Sequence, residues 1–388
     1  MARAASAILG LVLGALMALA ACAPAPEGGA PEPAYIAEGR PQSLDAWGQI
    51  ARRGGQLVLG EGVTAYELNT ALFSDHAVKL RTVWMPDGAG PAQYHERAVF
   101  EFPAGTVITK TFFYPLAGGG FDQVSDAGVL SDHFDGAALD LTGLRLIETR
   151  VLVRREAGWE ALPYLWDDAQ TGASLARTGA MLDLTLISAA GSARDFPYAV
   201  PDVNQCAACH VTDARDGAVR PIGPAARHLN RDFLYAHGSA NQIAHWSETG
   251  LLTGAPEPDA APRAARWHGQ ANLSGLQLER AARAYIDINC AHCHSRTGPA
   301  RTSGLYLEPW EPDGPNLGRC KPPIAAGRGT GGRLHSIVPG DSDRSIFVYR
   351  METERVGAMM PELGRAVADG PGVALIAAWI DAMAGGCG

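Results

Sequence analysis

The sequence predicts a multidomain chain, with an N-terminal mainly-β, sandwich-like domain followed by a mainly-α region. Three observations lead there. The chain has 388 residues, more than one hydrophobic core usually serves. Residues 35–200 hold short apolar runs of period two between Gly and Pro signals. Beyond residue 270 the apolar spacing becomes helical, and six of the seven cysteines lie beyond residue 200. With 47% hydrophobic and 19% charged residues the chain has the composition of a folded protein. A net charge of −9, from 32 basic and 41 acidic residues, argues against a general nucleic-acid binder.

In chain order, residues 1–21 read as a lipoprotein signal peptide. Arg3 supplies a positive start and Ile8 to Ala21 an apolar run too short for a comfortable membrane span. The run ends Leu19-Ala20-Ala21-Cys22, which resembles a bacterial lipobox and makes Cys22 the expected lipid anchor. Residues 22–34, rich in Pro, Ala and Gly, read as an extended linker. With Ala23 rather than Asp after the cysteine, the expected address is the outer membrane of a Gram-negative cell, facing the periplasm.

Residues 35–200 follow as a β-rich domain. Val78, Leu80, Thr82 and Trp84 alternate with Lys79 and Arg81, and Ile147 to Val153 alternates with Glu148 and Arg150. Val99 to Phe102, Val107 to Tyr114 and Leu182 to Leu186 are further strand runs. His76, His95 and His133 lie here, two of them next to Asp75 and Asp132; they read as scattered polar loop residues, with a metal or catalytic role as the alternative.

Two CxxCH motifs dominate the rest: Cys206-Ala207-Ala208-Cys209-His210 and Cys290-Ala291-His292-Cys293-His294. Composition alone predicts roughly 0.004 copies, so two are no accident. The spacing suits c-type haem. Two thiols add to the vinyl groups of one porphyrin and the adjacent His reaches the iron. Cys206, Cys209, Cys290 and Cys293 are therefore expected to hold two covalent haems, with His210 and His294 as axial ligands. A zinc site from the four thiols leaves both histidines without a role. A thioredoxin-like CxxC would need a βαβ pattern, which is missing here.

Residues 271–388 form the second haem segment. Ser274 to Gln277 reads as a capping box, and Leu278, Ala281, Ala282 and Tyr285 carry a helix into Cys290. A long Gly/Pro-rich loop, Met359-Met360-Pro361 and a last helix through Val373, Ile376 and Ile380 follow. This order resembles class I cytochrome c. The resemblance implies that Met360 is the distal iron ligand, with Met359 and Met351 as substitutes. Cys320 and Cys387 are left over, and in an oxidising compartment such a pair commonly forms a disulfide.

Residues 201–270 form the first haem segment, which has no methionine. Its distal candidates are His228 and His245, with His237 and His268 also in range, and an open position is the alternative.

Together with Tyr66-Glu67-Leu68-Asn69-Thr70-Ala71-Leu72-Phe73-Ser74-Asp75 and Met360-Pro361-Glu362-Leu363-Gly364-Arg365, the chain resembles a family of bacterial extracytoplasmic dihaem c-type cytochrome lipoproteins. The resemblance covers most of the mature chain. It implies haem and electron transfer with a periplasmic redox partner, and leaves that partner open. Two other readings fit the residues: a dihaem peroxidase-like enzyme with an open first haem, and a ligand-binding β-domain with a redox arm.

Overall fold

The computed structural model describes residues 29–324 and 327–388. The signal peptide, Cys22 and the start of the linker lie outside the described residues. Among the described residues no helix is long and apolar enough to cross a membrane.

The first half is built of strands: β1 (Ile50–Arg53), β2 (Gln56–Leu59), β3 (Thr64–Tyr66), β4 (Val78–Trp84), β5 (Ala92–Gln93), β6 (Val107–Pro115), β7 (Gln123–Ser125), β8 (Ala138–Asp140), β9 (Leu144–Arg155), β10 (Gly158–Trp166), β11 (Ala173–Leu175), β12 (Ala180–Ile187) and β13 (Ala193–Val200). Then come α1 (Val203–His210), α2 (Ala226–Leu229), β14 (Asp232–Tyr235), β15 (Gly238–Asn241), α3 (Gln242–Glu248), β16 (Leu252–Thr253), α4 (Gly275–Ile286), α5 (Ile346–Glu352) and α6 (Gly370–Asp381). The run at Val99 to Phe102 makes only isolated bridges, Val99 to Ala225 and Glu101 to Gln93.

A six-stranded antiparallel sheet in the order β11-β10-β9-β6-β4-β3 is the frame. Its two faces follow from the period of two. One face carries Val78, Leu80, Phe113, Val151, Leu162 and Tyr164, which pack with Ile50, Leu57, Leu59 and Leu139 of the β1-β2-β8 sheet. Polar groups on that face pair with each other: Thr82 with Thr109 at 2.6 Å and Thr111 with Thr149 at 2.8 Å.

The opposite face carries alternating charges, the pattern of a solvated sheet face. It is covered instead. At one end Phe112 and Tyr114 pack under Leu184, Phe196 and Tyr198 of the β13-β12-β7 sheet. At the other end Tyr66, Val83, Ile108, Leu152 and Ala161 pack with Cys206, Leu229, Ile243 and Trp246 from α1, α2 and α3. Between these apolar ends lie Lys79, Arg81, Lys110, Glu148 and Arg150.

The mainly-α, cytochrome c-like region expected over residues 201–388 does not form. The protein is mainly β, at 28% strand and 19% helix, in many sheets. Of the helices beyond residue 200, only α4 and α6 reach 12 residues, and α2 has 4. Helices this short are not self-supporting. Those of the first segment therefore lie on the large sheet, and β16 pairs with β5 of the N-terminal half. Only α4, α5 and α6 share a core of their own, through Leu278, Tyr285, Phe347, Ile376 and Trp379. The capping box at Ser274 also fails to form, whereas one at Asp202 and Gln205 opens α1. Cys320 and Cys387 are joined by a disulfide with Cα atoms 5.3 Å apart, closing the tail onto the long loop.

The segment 66–76 ties the halves together. Asn69 N–H donates to the His228 carbonyl at 2.8 Å. Asp75, buried, accepts from the Ala366 and Val367 amides at 2.7 and 2.9 Å. Charge-assisted bonds of this kind contribute about 1.5–3 kcal/mol each. Asp75→Ala is thus expected to destabilise the fold by about 3 kcal/mol, and Asp75→Asn, which keeps an acceptor oxygen, by less. Urea denaturation of the three proteins measures the order.

Candidate functional site

The first motif occupies the last turn of α1. The Asp202 carboxylate accepts from the amides of Asn204 and Gln205, and the Gln205 side chain accepts from the Asp202 amide, which fixes the helix start. Cys206 is three positions before Cys209, so both thiols lie on one side of a single turn. Cys206 is buried in the apolar cluster on the sheet. His210 ends the helix, and its Nδ1 donates to the Arg220 carbonyl at 2.7 Å. That bond fixes the tautomer and leaves Nε2 with its lone pair free to bind metal.

The second motif follows α4 through a wider turn over Asp287–Ala291. This turn is held from outside. Arg227 of α2 grips Asp287 with two hydrogen bonds, at 2.6 and 3.0 Å. The Asn289 side chain accepts from the Phe73 amide at 2.8 Å and donates to the Ala71 carbonyl at 3.3 Å. His294 has Nδ1 3.3 Å from the Ser303 hydroxyl.

The motifs touch. Cys293 Sγ is 3.9 Å from the Ala208 carbonyl, and the Ala214 amide donates to the Thr297 carbonyl at 2.8 Å. All four thiols are free. Burial pushes the Cys206 thiol up to about 11 and those of Cys290 and Cys293 up to about 12. A dithiol redox motif needs the opposite shift. Burial likewise pushes His210 down to about 3 and His294 to about 4, so both rings are neutral, the form that binds a metal. Among the described residues no three His, Cys, Asp or Glu side chains converge as a metal cage. Paired free thiols, each pair followed by a neutral imidazole with its Nδ1 held, fit the donor set of a c-type haem.

Met360 lies on the loop between α5 and α6. Its amide donates to the Arg350 carbonyl at 2.7 Å, and its carbonyl accepts from Arg365 at 3.1 Å. Arg365 also donates to the Thr353 and Val367 carbonyls, so one guanidinium binds the loop together. Glu362 of this loop and Arg350 of α5 are among the charges that act on Cys293 and His294 respectively. Met360 is half-buried, whereas Met351 belongs to the helical core and Met359 is buried.

The other histidines are placed differently from one another. His228 is buried, with Nε2 3.5 Å from the Asp287 carboxylate. His245 stacks on Tyr235, ring centroids 3.7 Å apart, with His237 beside it. The side chains whose charges act on His210 are Lys110, His292 and Arg150. His292 was passed over because it fills a variable position of CxxCH, where any residue satisfies the pattern. Its ring lies beside the Ile288 carbonyl, yet its buried Nδ1 makes no hydrogen bond. The charged residues of β4, β6 and β9 were also missed, because alternation reads as exposure.

No family model matches this chain, nor does any curated protein or solved structure.

His228 gives the fold a pH dependence of known sign. Burial lowers it from 6.5 to about 4, with Asp287 opposing. The unfolded chain then takes up this proton first, so stability present above 6.5 is lost as pH falls toward 4. The expected loss from this group is about 2 kcal/mol between roughly pH 7.5 and 5. Urea denaturation at both values should show His228→Leu losing less than the unmodified protein.

Proposed function

We propose that this chain is a dihaem c-type cytochrome that carries electrons in the periplasm, anchored through a lipid on Cys22. One observation carries the reading: two CxxCH motifs meet in one fold, each with its histidine ring neutral and His210 locked through Nδ1. Each haem supplies a one-electron iron couple.

The chain does the rest. Cys206, Cys209, Cys290 and Cys293 fix the two groups, and His210 and His294 ligate them. The Arg365 clamp fixes the Met360 backbone, and Glu362, two residues on, acts on Cys293, which supports Met360 as the thioether ligand of the second haem. As the second ligand of the first haem our choice would be His292, an imidazole of the adjoining motif with an unpartnered Nδ1. Contact between the motifs keeps the transfer distance short, and tunnelling falls steeply with distance. The acidic surplus suits a partner with a basic docking face.

Protein made in a host with haem-attachment machinery should give two haems per chain by pyridine haemochrome, and alanine at either cysteine pair should leave one. Absence of covalent haem would sink the reading. Low-temperature EPR should then show two low-spin signals. Of the alanine variants at His228, His245 and His292, only the last is expected to turn one signal high-spin. Met360→Ala should lower one potential and open that iron to carbon monoxide.

A further inference from the structure

A charged strip crosses the middle of the six-stranded sheet. Arg81, Lys110 and Arg150 stand directly opposite one another across three adjacent strands. Lys79, Phe112 and Glu148 form the next row. By the period of two, all of these side chains leave the same face. Lys79 and Arg81 are 7% and 6% exposed, so they are not on a wet surface.

Their head groups converge. The Lys79 and Lys110 amino groups and the Arg150 guanidinium lie 5.7, 5.0 and 4.4 Å from the centre of the one Phe112 ring. The acids nearby are already engaged. Glu148 accepts two bonds from Arg150, at 2.8 and 2.5 Å, and one from the Tyr198 hydroxyl. Asp75 is held by the Ala366 and Val367 amides, and Glu67, the acid near Arg81, pairs with Arg231 at 2.7 Å. Among the described residues Lys79, Arg81 and Lys110 form no ion pair.

Cations of one sign set side by side, Lys79 and Arg81 buried and Lys110 and Arg150 half-buried, need an anion. Burial, reinforced by the neighbouring guanidinium groups of Arg150 and Arg81, pushes Lys110 down to about 7, a shift that an anion would reverse. The position of the strip says which anion. Ile108 and Leu152, each two residues along the strand from Lys110 and Arg150, pack in one cluster with Cys206. Ile288, two residues before Cys290, belongs to the same cluster, so the strip lies on the sheet face that the first motif and the approach to the second cover.

We propose that Lys79, Arg81, Lys110 and Arg150 form a cationic cradle for haem propionates, and that presenting it is the task of the β-rich half. The proposal rests on the haem reading above. A porphyrin attached at Cys206 and Cys209 would bring two carboxylates, and Lys79, Arg81, Lys110 and Arg150 are the groups on the face beneath the first motif that would hold them. The Glu148 carboxylate holds Arg150 in place, and Lys79, Arg81 and Lys110 supply charge that the chain leaves uncompensated.

The experiment uses the full-length holoprotein. Haem content is measured first; a chain without covalent haem ends both readings together. With two haems present, Lys110→Met and Lys79→Met are compared with Lys110→Arg by potentiometric titration across about pH 5 to 8. The methionine variants should lower the potential of at least one haem and give it a new slope with pH, as a propionate released from its cation takes up a proton on reduction. Lys110→Arg should keep the original profile. Potentials and slopes unchanged in both methionine variants would overturn the cradle and leave the haem reading intact. Resonance Raman of the unmodified protein adds an arm free of any folding defect: propionate bending modes at the strongly hydrogen-bonded end support the cradle, and modes typical of free propionates overturn it.

Discussion

The fold depends on covering both faces of one sheet. Strands β4, β6 and β9 place an apolar side toward the β1-β2-β8 sheet and a charged side toward the β13-β12-β7 sheet and helices α1, α2 and α3. A sheet with Glu148 at zero exposure and Lys79 and Arg81 nearly so cannot be an independent domain with a wet back. Once that face is buried, each charge on it must be met by another group. Glu148 is met by Arg150 and Tyr198; the remaining cations set the electrostatics of whatever occupies the space between sheet and motifs.

The same constraint explains why the functional segments are held by the N-terminal half rather than by each other. Both motifs sit at the ends or outlets of short helices, which have little stability of their own. Segment 66–76 supplies the fixings. Asn69 reaches α2, the Phe73 amide reaches Asn289 beside Cys290, and Asp75 reaches the loop beyond Met360. The bidentate pair between Arg227 and Asp287 then joins the first segment to the second. Bonds with sequence separations of more than 200 residues therefore set the geometry of a site whose chemistry lies in two pentapeptides.

Much of this protein was legible from local pattern. The runs around Val78, Val107, Ile147 and Leu182 are strands β4, β6, β9 and β12. The helix leading to Cys290 and the last helix lie at α4 and α6. Period and turn chemistry are local properties, so the sequence carries them directly. The candidate donor groups were legible in the same way, because CxxCH places two thiols and an imidazole within one turn wherever it occurs.

What the sequence by itself determined, then, is the identity and local order of the donor groups and the alternation of the strands. Tertiary structure alone decided three further things. It buried a charged face that alternation marks as exposed, because solvent and a covering segment impose the same period of two. It produced a mainly-β protein where helical signals and two motifs pointed to a helical one, because short helices take their place from the sheet they pack on. It also brought the two motifs together at Cys293 and the Ala208 carbonyl and set the first on the sheet face that carries the cations, across separations that no spacing rule encodes.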